Sequence, residues 1–545
     1  MRILPLCLLT LLLGCGNEET PMSTVPQNSV YEISFTADGE FANPYTDVVA
    51  SATFENGAGE VITRPAFWDG GNTWKVRFSG PKAGDTWRWQ TTAEPAVGGL
   101  HDQRGQVTIS EYTGENALLQ KGLLKMSPGK RNVVHADGST FLVVADTPWA
   151  IPFRATVDQV EVYAKKRQAQ GFNAALLMTL QPDMRAEGPE DRNVDQGFAR
   201  AFSDLPEGQL VQLRPEYFQY LDTIIETLLA HEIVPVYQPV FHGFGWKGLD
   251  VLGNVIEPAQ YERYTKYLLA RYGAQPAFWL LAGDNGGRDP GVEEAGIMME
   301  AWDSYRQPTG LHYNPCDDYL AGWAVDNDLK HCEHYNKSFQ DADWLDFQWA
   351  QTGHGQEHQY HKVERMYDNL PTKAAANGEP TYEGMNDGKN GLGWWQGEDA
   401  WGQLFAGGTM GVVYGAAGLW QWKVSADEEG WTAWATQPMS WRDALDLEGA
   451  RYVGYVNEGL KSLPLADMEK RPDLSPSGHQ VLAVPGKAYL AYAPQGGAIG
   501  LTGLEGDLQG AWFDPRTGIF QEAIAVDGQY NAPSEDHWIL ILEAR

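Results

Sequence analysis

The sequence predicts an α/β protein: a (β/α)8 TIM barrel flanked by an N-terminal β-sandwich and a small C-terminal all-β domain. Three observations carry this expectation. Between about Leu118 and Leu460, apolar runs of strand length alternate with amphipathic stretches of helix length, the pattern of a parallel sheet wound with helices. On either side of that region the pattern is short alternating strands separated by turn residues. No glycine-rich dinucleotide fingerprint follows the first strand of the central region, which disfavours an open nucleotide-binding sheet.

In chain order, Met1-Arg2 and the apolar run Ile3 to Leu13 come first. The run is too short for a permanent membrane helix and reads as a signal peptide over 1–15. It ends in Leu12-Leu13-Gly14-Cys15, which resembles the bacterial lipobox. That resemblance implies acylation of Cys15 and anchoring in the bacterial cell envelope, at the outer membrane, on its periplasmic or surface face. A polar tether is expected over 16–28 and a β-sandwich over 29–112, with strands such as Tyr31 to Phe35, Val48 to Phe54 and Thr73 to Phe78. Its aromatics are read first as packing and docking residues, with sugar contact as the alternative.

The barrel, over 118–460, has eight candidate strands: Phe141 to Ala145, Ala174 to Met178, Ile233 to Gln238, Phe278 to Ala282, Gly310 to Tyr313, Trp344 to Trp349, Lys373 to Asn377 and Gly418 to Trp422. Helices are expected over Val157 to Gln170, Pro215 to His231 and Pro258 to Tyr272. Over 461–545 the alternation is all-β again, with strands at Gln480 to Ala483, Ala488 to Tyr492 and His537 to Leu542. A net charge of −32 argues against a nucleic-acid partner, which needs a basic face. The 21 tryptophans suit stacking on sugar rings as well as core packing. Cys316 and Cys332 are a candidate disulfide in an oxidising compartment, with a pair of buried thiols as the alternative.

Barrel enzymes carry their chemistry at the C-terminal ends of the strands. Reading only those positions gathers carboxylates, amides, histidines and aromatics, the inventory that glycosidic cleavage needs. Asp284 and Glu379 each follow a glycine at a strand end, on opposite sides of the barrel mouth, and are the chosen catalytic pair. Asp284 would be the general acid/base and Glu379 the nucleophile of a retaining mechanism, which wants the carboxyls about 5–5.5 Å apart. The plain alternative is that either caps a helix or pairs with a rim arginine such as Arg288. Candidate substrate contacts are Asp146, Trp149, His242, Asn285, His312, Gln351, His354, Tyr382, Glu383, Trp420 and Trp422. Glu383 is also the rival nucleophile. Asp183 to Asp204, long and charged after the second strand, is expected to wall one side of the cleft.

Several of these segments carry a family likeness. Trp344-Leu345-Asp346-Phe347, Gln351-Thr352-Gly353-His354 and Asn377-Gly378-Glu379-Pro380-Thr381-Tyr382-Glu383 look like the apiosidase-like glycoside hydrolases. Asp146 to Trp149, the run from Phe278 to Gly283 and the stretch Gly411 to Trp422 are similar too. The N-terminal segments Phe67 to Gly70, Trp74 to Phe78 and Gly84 to Trp87 resemble the sandwich that precedes secreted glycosidase barrels. Trp512 to Gly518 resembles the collagen-binding type domain that trails them. The resemblance places the family's Asp after the fourth strand on Asp284 and its Glu after the seventh on Glu379. Related retaining barrels usually carry Asn-Glu at the first position, where this chain has Gly-Asp-Asn.

The sequence therefore reads as a glycoside hydrolase acting on a plant, algal or bacterial polysaccharide with no cofactor. The competing class is a surface lipoprotein that captures carbohydrate without cleaving it. His354-Gly355-Gln356-Glu357-His358 matches a zinc-hydrolase spacing, but that motif needs both histidines on one helix face, and here the first closes a glycine turn. The cluster His331 to His334 is read as a loop.

Overall fold

The computed structural model describes residues 22–188, 190, 198–243, 250–284, 288–313, 337–428 and 439–545. Cys15, Asn285, Cys316 and Cys332, with the leader and the His331 to His334 cluster, lie outside the described residues. Asp183 to Asp204 is described only at its ends, where Asp183 bridges to Val251 and Phe202 to Leu213.

A closed barrel of parallel strands occupies the centre, in sequence order. Its strands are Val143–Asp146, Ala174–Met178, Val234–Gln238, Phe278–Leu280, Thr309–Tyr313, Phe347–Gln351, Ala374–Glu379 and Gly411–Tyr414. The eighth pairs back onto the first through Val143–Gly411 to Asp146–Tyr414, closing the ring. Helices cover the outside, so a strand such as Ala174–Met178 is buried along its whole length. That is why its sequence is a continuous apolar run rather than an alternation. The expected helices form over Val157–Ala169, Pro215–Ala230 and Pro258–Tyr272. The first starts in a capping box between Thr156 and Gln159, and the other two begin on prolines, whose fixed φ suits the first turn.

The eighth strand differs from the sequence expectation. It is Gly411–Tyr414, while Gly418 to Trp422 folds into tight turns in which Trp422 N–H donates to Leu419 O and Lys423 N–H to Gly418 O. Trp422 sits at φ 55°, a left-handed conformation no strand residue adopts.

The N-terminal domain is a sandwich of a five-stranded and a three-stranded sheet. Its five-stranded sheet begins earlier than the expected tether allows: Met22–Pro26 pairs in parallel with Arg104–Ser110, and Val25 packs on the sandwich core. Phe54 and Phe78 stack at 4.1 Å, and Trp74 and Trp87 are buried beside them. Phe67 packs into the barrel's own core. Next to it, Asp222 of the barrel accepts from Arg77 of the sandwich at 2.6 Å and from Arg271 at 2.8 Å. These aromatics thus pack and dock the domain.

The C-terminal domain is a six-stranded sheet with a three-stranded one beside it. Alternation sorts its side chains between two cores. Leu482, Ile539 and Ile541 join the barrel's core, while Val481, Leu540 and Leu542 fill the domain's own. Among the described residues no helix is long and apolar enough to cross a membrane.

Candidate active site

Glu379 ends the seventh strand and is almost wholly buried. Gly378 before it has a steric reason. A Cβ there would lie 2.5 Å from Trp349 Cβ and 3.1 Å from His312 Cδ2, so only glycine lets these groups close beneath the strand end. The pairing of sixth and seventh strands shifts register between Ala350 and Gln351, setting Gln351 opposite Glu379. Such irregularities re-aim side chains beside active sites. Here Gln351 Nε2 donates to Glu379 Oε1 at 3.0 Å.

Two imidazoles complete the surround. His312 Nε2 lies 3.2 Å from Glu379 Oε2, and His354 Nε2 lies 3.4 Å from Oε1. The Asp284 backbone N–H donates to His312 Nδ1 at 3.2 Å. A neutral His312 must therefore carry its proton on Nε2, facing Glu379. One ring thus ties the backbone of Asp284 to the carboxylate of Glu379. Burial alone would raise the Glu379 pKa, but the two histidines outweigh it and hold the carboxyl well below its usual range. For His354 burial works downward, and the charges of Glu379 and Asp284 overcome it, so its pKa is raised.

Asp284 follows the fourth strand and Gly283, at φ 59°. Asp is one of the few side chains that tolerate this conformation. A Cβ on Gly283 would fall 1.5 Å from Gln238 Nε2, so the turn is folded tightly over the end of the third strand. Burial, and then the charge of Glu379, push the Asp284 pKa up to about 6. The two carboxyls therefore divide: one ionised throughout the neutral range, one poised to hold or release a proton.

Aromatic rings pack beside the pair. Trp149 Nε1 donates to Tyr382 Oη at 2.8 Å, and the Trp149 ring meets His312 edge-on at 5.8 Å. Tyr382 lies 5.1 Å from the His354 ring and 6.4 Å from Trp420. Burial, then Glu379, raises the Tyr382 pKa far above its usual value, so its hydroxyl stays protonated. The sequence-chosen residues that come together are thus Asp284, Glu379, His312, Gln351, His354, Tyr382, Trp149 and Trp420.

Four others do not join them. Asp146 is fully buried and bound to Arg167 Nε at 2.6 Å, a helix residue outside the barrel, so its carboxylate turns away from the mouth. Glu383 accepts from Tyr414 Oη at 2.7 Å and from the N–H groups of Gly393 and Gly449 at 2.8 and 2.9 Å. Those bonds spend both oxygens on joining loop to helix. Trp422 is fully buried, stacked on Trp441 at 4.5 Å, with Nε1 donating to Gln159. His242 is buried edge-on to Tyr261, with Nε2 3.4 Å from Pro290 O. Gln238, which ends the third strand and which the sequence reading does not single out, is 1% exposed, and its Oε1 has no partner among the described residues. His354 and His358 lie in the loop before helix Tyr360–Tyr367 and face Glu379 and Asp399 respectively.

A model of the apiosidase-like catalytic domain matches residues 127–467. The chain belongs to the apiosidase-like glycoside hydrolases. It is thus a glycosidase of the family that its motifs resemble, and a domain of unknown function, DUF5060, matches 24–94, within the sandwich. Solved structures share the fold at low identity. A glycoside hydrolase family 5 protein from Bacteroides vulgatus is 19% identical, with a TM-score of 0.61 over 78% of this chain and 94% of its own. A provisionally assigned glycoside hydrolase from the same organism is 17% identical, with a TM-score of 0.68 over 96% of this chain and 99% of its own. No curated protein matches.

Proposed function

We propose that this apiosidase-like enzyme cleaves a glycosidic bond in a plant, algal or bacterial polysaccharide by a retaining mechanism, with Glu379 as nucleophile and Asp284 as general acid/base. The observation that carries this reading is the buried carboxyl pair joined through His312, with one pKa depressed and the other raised to about 6. In the first step Glu379 attacks the anomeric carbon while Asp284 gives its proton to the departing glycosidic oxygen, leaving a glycosyl ester on Glu379. In the second, Asp284 takes a proton from water, whose oxygen displaces Glu379 from the same carbon. His312, Gln351 and His354 hold the Glu379 oxygens in place between the steps. Trp149, Tyr382 and Trp420 offer ring faces and edges for the sugar. Acylation at Cys15 would hold the enzyme at the bacterial envelope, where such a substrate arrives.

The test is reducing-sugar release from a panel of plant and algal polysaccharides, comparing wild type with Asp284→Asn and Glu379→Gln at equal folded concentration. Both variants are expected to lose activity by a factor of about a thousand or more. Full activity in either would remove that residue from its role. Proton NMR of the first-formed product decides the stereochemistry: retention is expected, and inversion would replace the nucleophile with a base.

A further inference from the structure

His354 sits between two glycines, Gly353 at φ 103° and Gly355, so its own backbone does little to fix where its ring lies. The loop is instead fastened from outside. Thr381 Oγ1 shares its one proton between the carbonyls of Gly353 and Gly355, at 3.0 and 2.7 Å. Asn390 Nδ2 donates to His354 O at 2.9 Å, and Trp395 Nε1 to Gln356 O at 2.9 Å. At the far end is His358. Its ring lies flat between Trp395, at 4.5 Å and 19°, and Tyr360, at 5.3 Å and 7°. Its Nδ1 is 2.9 Å from Asp399 Oδ1, and its Nε2 is 3.8 Å from Glu398 Oε2.

We propose that His358 is a positioning residue for the glycosidic reaction: clasped by two rings and bound to Asp399, it fixes the loop that holds His354 against Glu379. The inference rests on the reading of Glu379 as nucleophile. His358 reaches no reacting atom; it acts through the four-residue step back to His354. Its contact with Asp399, backed by Glu398 at 3.8 Å, is charge-assisted, and such bonds are roughly twice as strong as neutral ones. Asp399 is itself buried and receives a further bond from Gln403 Nε2 at 3.4 Å, so the anchor point is rigid. Burial would lower the His358 pKa, but Asp399 and Glu398 overcome it and raise it to about 9. The ring therefore stays cationic through the neutral range. The groups facing it are Asp399 and Glu398 from helix Trp394–Ala406 and Tyr360 from the helix that follows its loop, with His537 of the C-terminal domain acting on Glu398 from beyond.

The experiment uses the full chain carrying His358→Gln and, separately, Asp399→Asn, which keeps the shape of the anchor and removes its charge. Steady-state kinetics are paired with a histidine-selective NMR titration in which His354 is assigned through His354→Gln. The inference expects kcat to fall by about ten-fold or more with KM within about two-fold, and the His354 titration to move down as Glu379 no longer holds it. His354 titrating as in wild type in either folded variant would overturn the inference, and so would a fall in kcat without that shift, since general loosening would explain it. The titration does not depend on turnover. Activity surviving in Glu379→Gln would sink the catalytic reading alone, while a His354 shift in His358→Gln would still establish the mechanical link.

Discussion

Asp284→Asn should abolish catalysis and make the protein more stable, and the size of the gain follows from the site. The Asp284 carboxyl is buried beside Glu379, and its pKa rises from 3.8 to about 6. An acid whose folded pKa exceeds its unfolded one is penalised when ionised, so the cost is absent below the unfolded value and complete above the folded one. A rise of roughly two units is worth about 3 kcal/mol. By about pH 8 wild type bears the whole of it, and at about pH 4 very little. Asparagine is nearly isosteric, cannot ionise and tolerates the left-handed backbone at this position, so it adds no strain. Urea unfolding followed by tryptophan fluorescence, at both pH values, should show the barrel transition of Asp284→Asn moving to higher denaturant at pH 8 and barely at pH 4. Equal gains at the two pH values would refute the reasoning, because the benefit would then not come from relieving a buried charge. No gain at pH 8 would mean that Asp284 is solvated well enough to ionise freely.

The same two carboxyls set the pH dependence. The profile of kcat/KM should fall above about pH 6 as Asp284 loses its proton, while its acid limb lies below the usual carboxylate range because Glu379 stays ionised; a plateau extending to alkaline pH would contradict the assignment of the acid. Glu383→Gln leaves two backbone donors facing a weaker acceptor and should cost about 1–3 kcal/mol in unfolding free energy, with kcat/KM at equal folded concentration changed only a few-fold. A thousand-fold loss there would return Glu383 to the chemistry. Asp222→Ala removes the carboxylate that Arg77 and Arg271 share between sandwich and barrel, leaving them Glu32 and Asp69, and should cost about 3 kcal/mol, read by thermal unfolding. An unchanged transition would show that water reaches the pair.

Most of the barrel was legible because fully buried parallel strands write themselves as apolar runs bounded by glycine and polar turns. Ala174–Met178 and Phe347–Gln351 are of this kind. The same property hid which way their ends face. Where both sides of a strand are apolar, alternation carries no signal, and Asp146, at the end of the first strand, turns outward to a helix arginine while Glu379, at the end of the seventh, turns inward. The eighth strand is not legible in this way, because Gly411–Tyr414 is only a short apolar segment, whereas the aromatic-rich Leu419 to Trp422 looks more like a strand and folds as turns. Asp284 and Glu379 could be picked from strand ends and family motifs together. The clasp on His358 could not, since its parts come from residues 358, 360, 395 and 399, and no spacing rule joins a loop to the side of a later helix.

The C-terminal sheet bears on how the gene can be cut. A domain with a self-sufficient core can be moved, doubled or dropped by recombination without harm to its neighbour. This sheet gives every second side chain of its central strands to the barrel: Leu482, Ile539 and Ile541 are walls of the catalytic domain in all but sequence position. Ending the chain before residue 461 would strip an oily flank from the barrel, and the truncated enzyme would seek another surface, most readily that of a second copy. Inheritance should treat the last 85 residues and the barrel as a single cassette, and any engineered exchange of catalytic domains should carry both.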